Sequence, residues 1–331
     1  MAKTMSDTAP EEPLFKVHWL GTSSGLPTRA RNLSCVVVEV GRRLILLDCA
    51  EGAQLSLLRG DFNISAIDAV LVTHRHGDHC FGLPGLYGTL WLMGRPLPVL
   101  VGDEAVLALL ASVQEITTGD AGAQPTIQLE RFVEPEEVLT LAPRKDLKVR
   151  VVAGLLEHRV PSHGFRVDVT RSHRPGVDVE ALKALGVPPG PLYGRLQRGE
   201  NVMTDDGRHL SAAEFQIPGW SESASFVYLT DTTYSPRSVA LAKGADLVSH
   251  EATFLPGQEA KAEDVGHSTA TQALSVLEES GAGRMVLTHF SARHKLDAYR
   301  DVVEASGLAS KVVLAEDGLC LDVMGRRAAS E

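Results

Sequence analysis

The chain has 331 residues, a hydrophobic fraction of 44%, a charged fraction of 22% and a formal net charge of −10. This composition is ordinary for a globular protein of one or two domains with a large core. It excludes a membrane-spanning helix, because no run of 18 apolar residues occurs, and it argues against a nucleic-acid-binding protein of the usual basic type.

The N-terminus is polar and has no apolar segment of the kind that secretory signals carry. We expect residues 1–13 to be disordered and residues 14–331 to form the folded domain. The four cysteines lack paired spacing, which favours a reduced, cytoplasmic compartment over a disulfide framework.

Strand and helix patterns alternate along the chain. Apolar, β-branched runs predict strands near residues 15–21, 35–40, 43–48 and 67–73, followed by a helix near 104–115. In the second half, strands are predicted near 148–154, 164–169, 225–230, 246–249, 285–288 and 312–314, and helices near 236–243, 268–279 and 296–306. The alternation indicates an α/β protein.

A dense group of metal-ligand residues follows the predicted strand at 67–73. His74 and His76 are two apart and leave the same face of an extended chain, while Gly77 allows a turn that aims Asp78 and His79 at a second point nearby. Imidazole and carboxylate groups suit zinc, with manganese or iron as alternatives. The spacing predicts two metal ions about 3.5–4 Å apart.

Two ions need more ligands than one segment supplies. His158, Asp231 and His289 each stand at the end of a predicted strand. Each alone would be an ordinary turn or core residue, but together with the first group they are the candidates for the missing ligands. Asp231 is the natural bridge, because a carboxylate can bind two ions at once.

These motifs and their order resemble tRNase Z, a family of the metallo-β-lactamase superfamily whose members mature the 3′ end of tRNA. The resemblance covers about residues 15–322, and the segments His-Glu-Ala-Thr-Phe (250–254) and Gly-His-Ser-Thr (266–269) are closer to tRNase Z than to the rest of the superfamily. It implies an αββα sandwich of two β-sheets, with the ligands at one edge of both sheets and with an inserted flexible arm.

The resemblance also implies residue roles. Asp78 would orient water or take its proton, His267 would protonate the leaving 3′-oxygen, and Glu251 would orient His267 or a metal ligand. Two Zn²⁺ ions per chain would be held by two sets bridged by Asp231: His74, His76 and His158 for one ion, and Asp78, His79 and His289 for the other.

Residues 170–212 lie between the strands that carry His158 and Asp231, and they include a stretch rich in glycine and proline at 186–194. Composition alone favours a surface loop, because such a stretch cannot continue a helix or a central strand. The resemblance implies the arm with which the family grips the tRNA elbow. Our candidates for RNA contact in this arm are Tyr193, Arg195 and Arg198.

Residues 27–32 resemble the Pro-x-Lys-x-Arg-Asn loop of the family and are expected at the rim of the active site. Arg29 stands where lysine is usual, and this swap keeps the charge but changes the geometry of a contact. The substrate contacts implied here are Arg29, Arg31 and Asn32. His294 stands where the family often has tyrosine.

Three functions are compatible with these patterns. The first is a zinc-dependent endoribonuclease that removes the 3′ trailer from precursor tRNA by hydroxide attack and leaves a 3′-hydroxyl, in a family that is usually homodimeric. The second is a hydrolase of a small phosphodiester or sulfate ester. The third is a non-catalytic RNA-binding relative, against which the complete ligand set argues.

Overall fold

The computed structural model describes residues 12–101, 103–118, 126–128 and 136–327. The predicted disorder of the N-terminus therefore falls almost entirely outside the described residues. Within the described part of the chain, no helix combines the length and the apolarity needed to cross a membrane.

The first half of the chain supplies one sheet and begins the second. Its elements are β1 (Phe15–Gly21), β2 (Ser23–Ser24), β3 (Cys35–Val40), β4 (Arg43–Leu47), α1 (Ala53–Arg59), a 3₁₀ turn (Ile64–Ala66), β5 (Ile67–Val72), α2 (Gly77–Cys80), α3 (Leu83–Leu92), β6 (Val99–Val101), α4 (Glu104–Thr118), β7 (Thr126–Gln128), β8 (Glu136–Arg144) and β9 (Leu147–Leu156).

The second half completes the second sheet and returns one strand to the first. Its elements are β10 (Ser162–His173), β11 (Gly176–Val177), α5 (Val179–Ala184), α6 (Pro191–Gln197), β12 (Val202–Met203), β13 (His209–Leu210), α7 (Ala212–Phe215), β14 (Gln216–Ile217), β15 (Trp220–Leu229), α8 (Pro236–Ala242), β16 (Leu247–Glu251), α9 (Glu259–Val265), α10 (Ala270–Ser280), β17 (Arg284–Thr288), β18 (Phe290–Ser291), α11 (Leu296–Ala305), β19 (Val312–Leu314), β20 (Leu319–Val323) and β21 (Arg326–Arg327).

Two sheets pack face to face. The first has the strand order β20-β1-β3-β4-β5-β6-β7, and the second has the order β19-β17-β16-β15-β10-β9-β8 with β21 beside β15. Side chains alternate across each strand, so Val36 and Val38 face the core between the sheets while Val37 faces the outer helices. Across the interface, the Trp19 indole N–H donates to Ser249 Oγ at 3.0 Å.

Helices cover both outer faces of the sandwich. Leu57 of α1, Leu86 of α3 and Val106 of α4 pack on the outside of the first sheet. Leu274 of α10 and Tyr299 of α11 belong to the core of the second. This arrangement confirms the predicted αββα sandwich.

The insertion between β10 and β15 is a folded unit. His173 pairs with Trp220, so the stem strands run four residues beyond Val169 and the insertion occupies residues 174–219, where we predicted 170–212. Helix α6 begins at Pro191, in the first turn where proline is tolerated. Unlike the surface loop that composition favours, the unit has its own apolar core: Leu182, Val187, Leu196, Val202, Leu210, Ala212 and Phe215.

The parallel strands place the functional segments at one edge. In the first sheet, β4 and β5 are parallel, and in the second, β15, β16 and β17 are parallel. Strand β9 runs in the same direction as β15, because β10 lies antiparallel between them. The carboxyl ends of these strands carry the predicted ligand segments.

Candidate metal centre

The segment after β5 turns its side chains towards one point. His74 is buried at the end of the strand. His76 precedes the single-turn helix α2, in which the His79 N–H donates to the His76 carbonyl at 3.0 Å. His74 Nε2 and His76 Nδ1 lie 3.0 Å apart. The turn allowed by Gly77 therefore brings both ends of the segment to the same centre.

The structure brings all seven predicted ligands together in the two sets that the resemblance implies. Within each set, one possible ligand atom per residue lies within 4.8 Å of every other. The first set is His74, His76, His158 and Asp231, and the second is Asp78, His79 and His289.

Asp231 lies between the two sets. Its Oδ1 atom is 3.3 Å from His79 Nε2 and 3.2 Å from His289 Nε2. Its Oδ2 atom is 3.4 Å from His74 Nε2 and 3.9 Å from His158 Nε2. One carboxylate oxygen thus faces each set, which is the geometry that a bridging ligand requires.

The donor set fits divalent cations. The buried Nε2 atoms of His79 and His289 make no well-directed hydrogen bond, although Asp231 Oδ1 lies 3.3 and 3.2 Å away, and an unsatisfied buried polar atom is costly. Asp231 and His289 also have positive φ angles, 21° and 56°, which residues other than glycine rarely adopt. Such strain is concentrated at functional sites, and a bound cation would satisfy both nitrogens.

Asp48 contacts the candidate ligand His79, and the sequence analysis did not identify it as part of the site. It is fully buried at the end of β4, and its Oδ2 atom lies 2.7 Å from His79 Nδ1. It also accepts hydrogen bonds from the Thr73 N–H and hydroxyl and from the Tyr228 hydroxyl. The available signal was its position, a carboxylate that ends a buried strand beside β5.

Thr253 connects Glu251 to the candidate ligand His289. Its hydroxyl donates to Glu251 Oε2 at 2.6 Å, and its oxygen lies 3.0 Å from His289 Nδ1. Glu251 Oε1 lies 2.8 Å from His267 Nδ1, so Glu251 contacts His267 directly. On the neighbouring ligand, His158 Nδ1 donates to the Gly266 carbonyl at 2.6 Å.

The charges of the site follow from these contacts. Burial opposes protonation of His267, but Glu251 and Asp231 outweigh it and raise the pKa of His267 to about 9. Burial lowers the pKa of His74 to about 4, which leaves its imidazole in the neutral form that a ligand needs. For Asp78, burial raises the pKa, but His79 and His289 hold it well below its usual range.

The loop between β1 and β3 borders the centre. Its Gly25 N–H donates to Asp78 Oδ2 at 2.8 Å. Arg31 donates through Nη2 to the Ser291 carbonyl at 3.2 Å, two residues beyond His289. Asn32 donates its backbone N–H to Asp317 at 2.6 Å, and Arg29 is exposed. Of the three predicted contacts, Arg31 is the one bonded next to a ligand.

The three candidates in the insertion are held by local bonds. The Tyr193 hydroxyl donates to the Val187 carbonyl at 2.7 Å. Arg195 and Arg198 both bind Glu200, at 3.0 and 2.9 Å. No described bond joins these three side chains to the metal centre, so their RNA contact stays a prediction.

Two family models and several sequence relatives match this chain. Residues 15–143 match the family model described as Anti-Pycsar protein Apyc1, and residues 197–290 match the one described as Beta-lactamase superfamily domain. The chain is 40% identical over 320 residues to Ribonuclease Z of Prochlorococcus marinus (strain MIT 9303), which covers 94% of this chain and 99% of that protein. It is also 40% identical to Ribonuclease Z of Synechococcus sp. (strain WH7803), with 93% and 96% covered.

Solved structures share the fold. Human tRNase Z, short form, matches with a TM-score of 0.63 at 24% identity, covering 93% of this chain and 99% of that chain. The metallo-β-lactamase fold protein YhfI from Bacillus subtilis matches with the same TM-score at 20% identity, covering 94% and 99%.

Proposed function

Because this chain belongs to the ribonuclease Z family, we propose that it removes the 3′ trailer from precursor tRNA. It is a hydrolytic nuclease with the metallo-β-lactamase fold. The observation that carries the proposal is the convergence of seven ligand-type residues around Asp231 in a chain that matches ribonuclease Z over nearly its full length.

The proposed cofactor is a pair of zinc ions per chain, with manganese or iron as alternatives of similar ligand preference. The two sets bridged by Asp231 would hold one ion each. When bound, two such cations lower the pKa of water to about 7 and neutralise charge on a phosphate group.

Asp78 and His267 are the proposed catalytic residues. Asp78 is ionised and receives the Gly25 N–H on one oxygen, so its carboxylate can orient the attacking water, while its low pKa makes it a weak proton acceptor. His267 is held through Nδ1 by Glu251, and its Nε2 lies 3.9 Å from Asp231 Oδ2 at the centre.

Hydrolysis then balances at the scissile phosphate. Water attacks phosphorus and releases one proton to the solvent, the bond from phosphorus to the 3′-oxygen breaks, and the protonated His267 donates its Nε2 proton to the leaving oxygen. The solvent then returns a proton to His267. The products are a tRNA with a 3′-hydroxyl and a trailer with a 5′-phosphate.

The remaining parts of the proposal concern substrate and assembly. We assign precursor tRNA as the partner, the insertion at 174–219 as a second binding surface for it, and the cytoplasm as the compartment. A homodimer, in which the insertion of one subunit serves the centre of the other, completes the proposal. The separate binding role of the insertion is supported by its structure, a compact unit on a two-stranded stem.

The deciding experiment is cleavage of a 3′-extended precursor tRNA by the purified protein, with the cut mapped to the nucleotide. We expect a single cut near the discriminator base that leaves a 3′-hydroxyl and disappears with a chelator. Fast hydrolysis of a chromogenic phosphodiester or sulfate ester, without any cut in RNA, would instead assign the chain to small-molecule hydrolysis.

A further inference from the structure

An acidic protein that binds RNA must gather positive charge where the RNA lies. In the insertion, the cations are largely neutralised: Arg195 and Arg198 share Glu200, and Arg208 binds Asp206 at 2.7 Å. Paired cations attract a polyanion less than free ones do. The insertion therefore supplies only part of the free positive charge that binding of RNA needs.

Cations beside the metal centre differ in this respect. Among the described residues, neither Lys261 nor Arg293 has a carboxylate within 4.0 Å of its charged group, and both are exposed. Lys261 stays unpaired although its own helix, α9, carries Glu259, Glu263 and Asp264. Its charge is therefore available to a ligand.

Lys261 is held on the side of the centre where His267 lies. Its Nζ atom is 5.8 Å from the centroid of the Phe254 ring, a cation–π contact. The Phe254 ring is in turn 6.2 Å from the His267 ring. The backbone reinforces this placement, because the His267 N–H donates to the carbonyl of Ala262, the residue after Lys261, at 2.8 Å.

The charges of both unpaired cations, Lys261 and Arg293, affect His294. Its pKa is lowered, first by burial and then by the charges of Arg293 and Lys261. His294 follows β18, which continues from the ligand His289, and its N–H donates to the Ser291 carbonyl. Lys261 and Arg293 thus form a positive rim at the metal centre, beside the neutral His294.

We propose that Lys261 binds a backbone phosphate of the RNA strand next to the scissile bond. The assignment rests on the proposed function and adds a substrate contact to it. An ammonium group binds phosphate as a point charge, and an aromatic ring can hold it in place without cancelling its charge, as a carboxylate would. Lys261 is a binding residue here, and it takes no part in proton transfer.

The test compares Lys261→Ala with Lys261→Arg and with Lys243→Ala. Lys243 is a matched control, since it is also exposed and follows the helix α8 on the second sheet. Binding of a labelled precursor tRNA is measured by fluorescence anisotropy at several salt concentrations. Every protein, including the reference, is metal-loaded and carries His267→Ala, so that cleavage is slow during the measurement.

The expected result is specific to a phosphate contact. Lys261→Ala should weaken binding by about 3- to 10-fold at moderate salt and reduce the slope of log K against log[salt] by about 1. Lys261→Arg should restore most of both values, and Lys243→Ala should match the reference. In the proteins that retain His267, Lys261→Ala should raise KM for precursor tRNA, change kcat less than about twofold and leave hydrolysis of a small diester intact.

Two results would overturn the assignment. An unchanged affinity and salt slope would mean that Lys261 is only a solvated surface lysine. Equal loss of diester hydrolysis would mean that it supports the position of His267 instead. If the wild-type protein binds precursor tRNA with the expected slope change but does not cut it, the proposed function fails and the Lys261 contact stands; if it binds no RNA, both fail.

Discussion

Four of the imidazoles that face the centre are oriented by the partner of their other nitrogen. His79 is held by Asp48, His289 by Thr253, His158 by a backbone carbonyl and His267 by Glu251. In each case Nδ1 is occupied, which leaves Nε2 for the centre. A partner on one nitrogen is the usual way in which a protein sets the tautomer of a metal ligand.

Replacing Asp231 should remove metal and activity together. The two ligand sets share this carboxylate, so Asp231→Ala leaves both without a bridge and exposes two bound cations to mutual repulsion. Elemental analysis of the purified variant, alongside precursor cleavage, measures the effect. Wild-type metal content with full activity would contradict the bridging role.

Replacing Asp48 should weaken metal binding although all seven ligand residues remain in place. Asp48→Asn removes the charge that holds His79, and loss of such a partner typically costs about 10–100-fold in metal affinity. Competition with a chromogenic chelator measures it. Asp68→Asn is the matched control, because Asp68 binds Arg43 on the surface of the same sheet and should leave metal affinity unchanged. Equal affinities of the two variants would refute the role of Asp48.

His267→Ala should separate chemistry from metal binding. The variant keeps both ligand sets, but no group remains to protonate the leaving oxygen, so kcat should fall by roughly 10²–10⁴-fold. Single-turnover cleavage of precursor tRNA measures the loss, and metal analysis is the control. A rate equal to that of the wild type would exclude His267 from the mechanism.

Local sequence explains why the ligand residues were identifiable while their partners were not. His74, His158, Asp231 and His289 are conspicuous because each ends an apolar run. Thr253 has no such mark: its role depends on Glu251, His267 and His289, which three separate segments bring together. A contact among distant segments leaves no pattern within any one of them.

At the scale of elements, prediction worked where the hydrophobic pattern was strong. The predicted helix at 268–279 appears as α10, begun by a capping box between Thr269 and Gln272. Helix α3 was missed, because Gly85 and Gly88 interrupt its helical pattern. Strand β8 was missed for a different reason: it is an edge strand whose residues are mostly exposed and whose sequence is charged.

The insertion should be removable as a unit. Its core is its own, and His173 pairs with Trp220 at its base, so residues 174–219 can be replaced by Asn-Gly, which suits a two-residue hairpin turn. We expect the shortened protein to fold and hydrolyse a small chromogenic diester at the wild-type rate, while precursor cleavage falls at least tenfold. Parallel assays of both substrates measure this, and equal loss of both activities would contradict a separate binding role.

At the scale of the whole molecule, the metal centre joins the two sheets. The segment that follows strand β5 of the first sheet carries four of the seven ligand residues, and the rest follow strands of the second sheet. The Tyr228 hydroxyl adds a bond from the second sheet to Asp48 on the first, at 3.1 Å. Metal ions that bind only the folded protein stabilise the folded state.

Chelation should therefore lower thermal stability as well as activity. Treatment with a strong chelator, followed by its removal, should abolish precursor cleavage and lower the Tm by several degrees, and added zinc should restore both. Differential scanning calorimetry and the cleavage assay measure the two effects. A Tm that is independent of metal would mean that the sheets dock equally well without it.

The spread of the ligands along the chain also bears on synthesis by the ribosome. A nascent chain that has been made as far as β7 contains His74, His76, Asp78 and His79, but the bridging Asp231 and the ligand His289 are still to come. An unfinished or prematurely terminated product thus lacks a complete centre. Translation itself therefore delays any cleavage of RNA near the ribosome until His289 has been made.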